Sequence, residues 1–263
     1  MGSATTSALA ATTAVLDRTA GVDLRVADEL FAAARALGDS PQLAGALADS
    51  AASTEARAKV VADVFGRTFS PTTVSFLVAA VRQRWSSASD LIDAIEELAV
   101  RAAARAGSAY DIEGEIFQFS RTVAANPQLE LALGSRLGDD SAKGSLVRSL
   151  LGGRASEATT LIVSSLVQQP RERRVRQLLS RAMDLVADQR GRTVATVVSA
   201  VPLSAAQSQR LAAALSKRYG TDVSINAVID PTVVGGVRVQ IADDVIDASV
   251  SSRLAELRQR LAG

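Results

Sequence analysis

The chain has 263 residues, with 29 Lys or Arg against 28 Asp or Glu and 48% hydrophobic residues. That is enough apolar material for one or two packed domains and too little net charge to gather nucleic acid or anionic lipid from a distance. Cys and His are both absent, which removes disulfides, zinc-thiolate sites, thiol nucleophiles, imidazole bases and the Ser-His-Asp triad together.

At the N-terminus the first cation is Arg18, so the basic start of a secretory signal is missing. Met1-Gly2-Ser3-Ala4-Thr5-Thr6 satisfies the loose myristoylation pattern, but nothing polybasic follows to supply a second anchor. The longest uninterrupted apolar run, Phe76–Val81, is far short of the roughly 18 residues of a membrane span. Residues 1–192 read almost wholly as helix, rich in Ala and Leu. Within them the sequence repeats: at an offset of 86, positions 28–84 align without a gap on 114–170, and fifteen of the 57 pairs are identical. They include Glu29/Glu115, Ser70/Ser156, Thr73/Thr159 and the punctuation Ser40-Pro41-Gln42-Leu43 against Asn126-Pro127-Gln128-Leu129. A capping residue before Pro at the first helical position starts a helix in both copies, and Gly66 and Gly152 stand where one ends. The pattern predicts helices near 26–38, 41–50, 54–65, 71–84 and 86–106, repeated near 111–125, 127–137, 140–151, 156–168 and 171–190. These are two compact bundles, 1–105 and 106–192, joined by a continuous helix.

Residues 193–263 form a different, small α/β unit. Thr193–Val201 has apolar residues on both faces, as a covered central strand does. Ser204 and Gln207 make a capping box opening a helix with Leu211, Leu215 and Tyr219 on one face, closed by Gly220. Asp222–Ile229 alternates like a half-buried strand and Asp230-Pro231 breaks it. Gly235-Gly236 permits a positive-φ turn before the alternating Val237, Val239 and Ile241. Asp243-Asp244 predicts a tight turn into Val245-Ile246, and Asp247 or Ser249 caps a last helix bearing Val250, Leu254, Leu257 and Leu261. The expected class is α+β: two tandem all-α bundles followed by a β-α-β-β-β-α domain over 193–263.

Few residues suggest chemistry. Gly235-Gly236 lacks the following Lys-Ser/Thr and helix of a phosphate loop. The basic run Arg171-Glu172-Arg173-Arg174-Val175-Arg176 has no neighbouring aromatics and reads as a solvated helix start or a protein-contact rim. The carboxylate pairs Glu96-Glu97, Asp139-Asp140 and Asp243-Asp244 point apart on a helix or lie in turns, as surface residues. Trp85 reads as a ring covering one end of the bundle, with a partner anchor as the second reading. An enzyme would need a site around Lys59, Lys143 or Lys217, and none has a motif around it. Catalytic, cofactor-binding and metal residues are expected to be absent.

Three separated blocks of the last 70 residues carry a resemblance. They are Val197-Val-Ser-Ala-Val-Pro-Leu-Ser204, Val223-Ser-Ile-Asn-Ala-Val-Ile-Asp-Pro-Thr-Val-Val-Gly-Gly-Val-Arg-Val-Gln-Ile241 and Val245-Ile-Asp-Ala-Ser249. In this order they resemble the C-terminal region of the delta subunit of F-type ATP synthases, the oligomycin-sensitivity-conferring protein family. The signature positions are Asp230, Pro231, Gly235, Gly236, Arg238, Asp247 and Ser249, expected to shape the C-terminal domain. Ala242 and Ala248 stand where the family commonly has Gly, which implies a slightly different turn. Residues 99–192 resemble, more weakly, the family's N-terminal bundle, and 1–105 add an upstream copy, as in the longer actinobacterial delta subunits.

The resemblance implies a non-catalytic stator subunit, without cofactor, present once in a hetero-oligomer. It would link the N-terminal segments of the alpha subunits, on top of the catalytic head, to the peripheral-stalk b subunits and resist rotor torque. It implies a peripheral position on the cytoplasmic face of the bacterial plasma membrane, with no bilayer span and no nucleic-acid partner. An amphipathic partner helix would dock between bundle helices, beside 71–84 and 156–168. The alternative is a generic helical adaptor unrelated to rotary ATPases, which explains the repeat but not the order of the C-terminal blocks.

Overall fold

The computed structural model describes residues 2–135, 139–171, 173–233, 235–241 and 244–248. The chain divides into two compact units, Met1–Val186 and Ala187–Gly263.

The first unit is helical: α1 (Ser3–Arg18), α2 (Leu24–Asp39), α3 (Pro41–Ala48), α4 (Thr54–Phe65), α5 (Pro71–Val81), α6 (Ala88–Ala106), α7 (Ile112–Ala125), α8 (Pro127–Gly134), α9 (Asp140–Leu151), α10 (Glu157–Gln168) and α11 (Val175–Gln189). Helix starts follow from capping chemistry. Side chains of Asp23, Ser40, Ser53, Ser70, Ser87, Asp111, Asp139 and Ser156 each accept from a first-turn backbone N–H, satisfying donors that a helix leaves unpaired. Asn126 has the same backbone conformation as Ser40 but makes no such bond; its amide instead donates to the Thr122 carbonyl, 2.7 Å away. The helix expected over 71–84 stops at Val81, where Arg82 and Gln83 donate to the Val78 and Ala80 carbonyls in a tightening last turn.

The expected continuous helix between the bundles is not continuous. α6 stops at Gly107, whose N–H bonds the Ala103 carbonyl; a short turn follows, and Asp111 caps α7 through the Gly114 N–H. α1 lies outside the predicted repeat because its buried face, Thr5, Ala8, Thr12 and Leu16, is too small and polar to read as an apolar stripe.

With α1 in place the repeat closes on itself. Displaced by 86 residues, Ser3–Arg18 falls on 89–104, inside α6, and α6 falls on 174–192, around α11. One helix therefore ends the first bundle and begins the second. α6 packs against α1, α2, α3 and α5 of the first copy and against α10 of the second. Its sequence shows why it can: Leu91, Ile95, Leu98, Ala99, Val100, Ala102, Ala103 and Ala104 are all at most 1% exposed. Small side chains let neighbouring helices approach closely on several faces, while the larger ones fill the layers between.

The second unit holds β1 (Arg192–Ser199), α12 (Ala205–Tyr219), β2 (Asp222–Ile229), β3 (Val237–Ile241) and β4 (Asp244–Asp247). The sheet order is β2-β1-β3-β4. β1 is interior, as its apolar faces predict; β2 runs parallel to it with Arg192 opposite Asp222, and β3 antiparallel with Ser199 opposite Val237. The Ser204–Gln207 capping box and the αL Gly220 at φ 72° bound α12. Leu215 joins Ala195, Val197, Val223, Val239 and Ile241 in the core, with Leu211 and Tyr219 packed against it. The last helix expected beyond Asp247, and the turn residues Ala242 and Asp243, lie outside the described residues.

Candidate partner-binding surfaces

The repeat preserves a carboxylate clasp. Glu29 on α2 reaches the start of α5, where its Oε2 accepts from the Ser70 N–H (2.8 Å), the Ser70 hydroxyl (2.7 Å) and the Thr73 hydroxyl (2.6 Å). Glu115 on α7 does the same at α10, accepting from the Ser156 N–H (3.0 Å), the Ser156 hydroxyl (2.6 Å) and the Thr159 hydroxyl (2.5 Å). Burial opposes ionisation of Glu29, but the hydrogen bonds from Thr73, Ser70 and Arg25 outweigh it and hold the carboxyl at about 2. The clasps fix where α5 and α10 sit. The sequence carried their signal as three identical pairs, with no indication that the pairs touch.

Around α6 the expected surface carboxylates are buried. Glu96 and Glu97 are 8% and 5% exposed. Glu96 takes Arg171 (2.9 Å) and Arg173 (2.7 Å), and Glu97 takes Arg101 (2.9 Å) and Arg181 (3.2 Å). Adjacent helical residues do point apart, but every residue of α6 from Ala94 to Ala104 is buried, so both must be paired inside. The basic run is accordingly not only a solvated start: Arg171 and Arg173 are consumed by this web, while Arg174 and Arg176 remain exposed. Trp85 is 6% exposed and donates its indole N–H to the Ala80 carbonyl at 2.8 Å, so it covers the bundle end and offers no free ring to a partner.

The two grooves expected beside 71–84 and 156–168 differ. Along α5 a groove of about 570 Å³ is lined by Gly66, Phe69, Pro71, Val74, Val78 and Arg82, largely apolar. Its counterpart on α10 is lined by Thr160, Leu161, Ser164 and Ser165, and also by Asp28 and Arg35 of α2. A helix of the first copy thus borders the groove of the second, whereas no described helix lines the α5 groove from outside the first copy.

In the second unit the signature residues build turns. Asp230 donates its N–H to the Ser199 carbonyl at 2.9 Å, and its carboxylate accepts from Thr232 N–H and hydroxyl at 2.9 and 2.7 Å. Pro231 follows in that turn, exposed. Gly235 and Gly236 have φ of 64° and 77°, a left-handed pair that side chains resist. Arg238 pairs across β3 and β4 with Asp247 at 3.4 Å, directly opposite in the register. Ser249 lies outside the described residues.

Of the lysines an enzyme would need, Lys143 is 5% exposed and bound to Asp140 at 2.8 Å; Lys59 and Lys217 are exposed. Among the described residues no group of acidic side chains is placed to hold a metal, and no described helix is long and apolar enough to cross a membrane. Asp139 caps α9, a turn role as its position predicts.

Fold and surfaces define a tandem helical-bundle protein carrying a small α/β unit with a mixed sheet. The family model described as ATP synthase delta (OSCP) subunit matches it twice, over residues 12–102 and 99–261, and the matches meet within α6. The chain belongs to the ATP synthase delta (OSCP) subunit family. A Leifsonia xyli subsp. xyli protein described as ATP synthase subunit delta is 48% identical over 268 positions, covering all of both chains. A Streptomyces avermitilis protein of the same description is 42% identical over 95% of this chain and 93% of its own length. A chain in the cryo-EM structure of the Toxoplasma gondii mitochondrial ATP synthase hexamer covers 64% of this one at 21% identity and a TM-score of 0.38, a likeness too distant to support inference.

Proposed function

We propose that the chain is a non-catalytic stator subunit of a proton-translocating F-type ATP synthase. It joins the N-terminal segments of the alpha subunits to the peripheral-stalk b subunits, so that rotor torque is resisted and the catalytic head is held. It does so as a single copy on the cytoplasmic face of the bacterial plasma membrane, without cofactor. Its working segments are the copies 1–105 and 106–192 and the α/β domain 193–263, with α6 common to the two copies. The observation that carries the reading is the double family match, which spans both helical copies and the C-terminal unit.

The open apolar groove on α5 favours the first copy as the docking site of an alpha segment. Val74 and Val78 lie one turn apart there, the spacing that an amphipathic helix engages, while α10 carries Thr160 and Ser164 in their place. Several moderate contacts linked in one assembly hold more tightly than any one, because each later contact is intramolecular. Calorimetry with a peptide of the alpha N-terminus and, separately, the C-terminal part of a b subunit tests the reading. Binding of both is expected, and failure of both overturns it.

A further inference from the structure

The second copy carries a surface that the first lacks. A cleft of about 840 Å³ lies between α8, the C-terminal end of α10 and the connection into α11. Among the described residues, five cations line it, Lys143, Arg171, Arg173, Arg174 and Arg176, with two carboxylates, Asp140 paired to Lys143 and Glu130 to Arg176. On its wall Leu131 is 74% exposed, beside Pro127 and the edge of Val175.

The repeat provides an internal control. At the equivalent positions of the first copy stand Arg57 for Lys143, Trp85 for Arg171, Ser87 for Arg173, Ala88 for Arg174, Asp90 for Arg176 and Gly45 for Leu131. The same helices therefore assemble without this charge and without an exposed leucine. Arg171 and Arg173 have structural work, since they neutralise the buried Glu96. Arg174 and Arg176 do not share it: both are exposed, and Arg176 meets Glu130, whose side chain is 31% exposed, at 2.9 Å, a pair of little worth to stability. An exposed leucine flanked by surplus arginines fits one kind of occupant best. A small anion would leave the apolar wall wet, and an uncharged helix would leave the arginines unused.

We propose that this cleft docks an acidic amphipathic segment of a partner polypeptide, with an apolar side chain on Leu131 and carboxylates at Arg174 and Arg176. The site is separate from the α5 groove and does not rest on the stator reading.

The test uses the full chain and a fluorescent 14-residue synthetic helix with Leu at i, i+3, i+4 and i+7 and Glu at the flanking positions, followed by anisotropy at low and physiological salt. Saturable binding is expected, at least tenfold tighter than that of the same helix with Lys for every Glu, and weakening as salt rises. Arg174→Glu with Arg176→Glu should reduce affinity at least tenfold and Leu131→Ser about fivefold, with helical circular dichroism and melting unchanged. Equal binding of the Glu and Lys helices, no binding of either, or affinity untouched by the arginine reversals overturns the proposal. So does binding of phosphatidylglycerol vesicles through the same arginines when the peptide is not bound, which would make the cleft a lipid site.

Discussion

Thr73 donates its hydroxyl to Glu29 across 44 positions of sequence, and Thr159 donates to Glu115 across the same 44. The duplicated bundles are thus related by more than helix count: the same carboxylate seats the same helix start in each. The Glu29 carboxylate, which also accepts from Arg25, is in addition a pH-dependent element.

Because Glu29 is lowered from 4.5 to about 2, its contribution is fully present above pH 4.5 and is lost as pH falls through about 2. A shift of that size corresponds to about 3 kcal/mol. Glu29→Gln should lower unfolding free energy at pH 7 by about 2–3 kcal/mol in urea. It should also flatten the dependence of stability on pH between 4.5 and 2, and an unchanged pH profile would refute the clasp.

The buried web on α6 gives a second prediction. Glu97→Ala removes a buried carboxylate that pairs with both Arg101 and Arg181 and should cost about 3–5 kcal/mol, whereas Arg25→Ala, on a side chain 70% exposed, should cost less than about 1 kcal/mol. Equal losses in chemical denaturation would mean that the pairing around α6 is not internal.

Truncation tests the sharing of α6. A chain beginning at Ser87 keeps all of α6 for the second copy, while one beginning at Ala99 cuts it in half. Cooperative melting is expected of the first and not of the second; equal melting of both would show that the second copy does not need α6.

The open groove on α5 is tested by Val74→Asp, which should weaken alpha-peptide binding tenfold or more, while Thr160→Asp at the equivalent, similarly half-buried place on α10 should change it less than twofold. The reverse pattern in calorimetry would assign the peptide to the second copy.

In the sheet, Gly235→Ala or Gly236→Ala forces a side chain into left-handed backbone, at a cost of about 1–2 kcal/mol each. Thermal shift assays should show both variants less stable, and Pro231→Ala nearly unchanged because Pro231 is exposed in its turn.

Local signals carried most of this architecture. Ser40 before Pro41 and the Ser204–Gln207 box announced helix starts because a cap is a contact over three residues, and the alternation of Val237, Val239 and Ile241 announced β3. What stayed hidden depended on partners far along the chain. Glu96 and Glu97 resemble any surface pair until α6 is seen enclosed by two bundles. Trp85 covers the bundle end, the first of its two sequence readings, though its bond to the Ala80 carbonyl is not visible in sequence. α1 escaped because Thr5, Ala8 and Thr12 make a helix face without bulk, and without α1 the sharing of α6 could not be recognised. The α5 and α10 grooves already differ in sequence, Val74 and Val78 against Thr160 and Ser164, but that Asp28 and Arg35 border the second one is not legible there.

The 86-residue period has an end effect. Thr6, Ala10, Ala11 and Arg18 of α1 are exposed where their α6 equivalents Ile92, Glu96, Glu97 and Ala104 are buried. In a row of stacked repeats, the outermost element must face water, and a polar outer side keeps the row from growing. The exposed side of α1 has that small and polar character. An α1 carrying the α6 residues at these four places would set an isoleucine on that exposed side, an apolar spot onto which other molecules would associate.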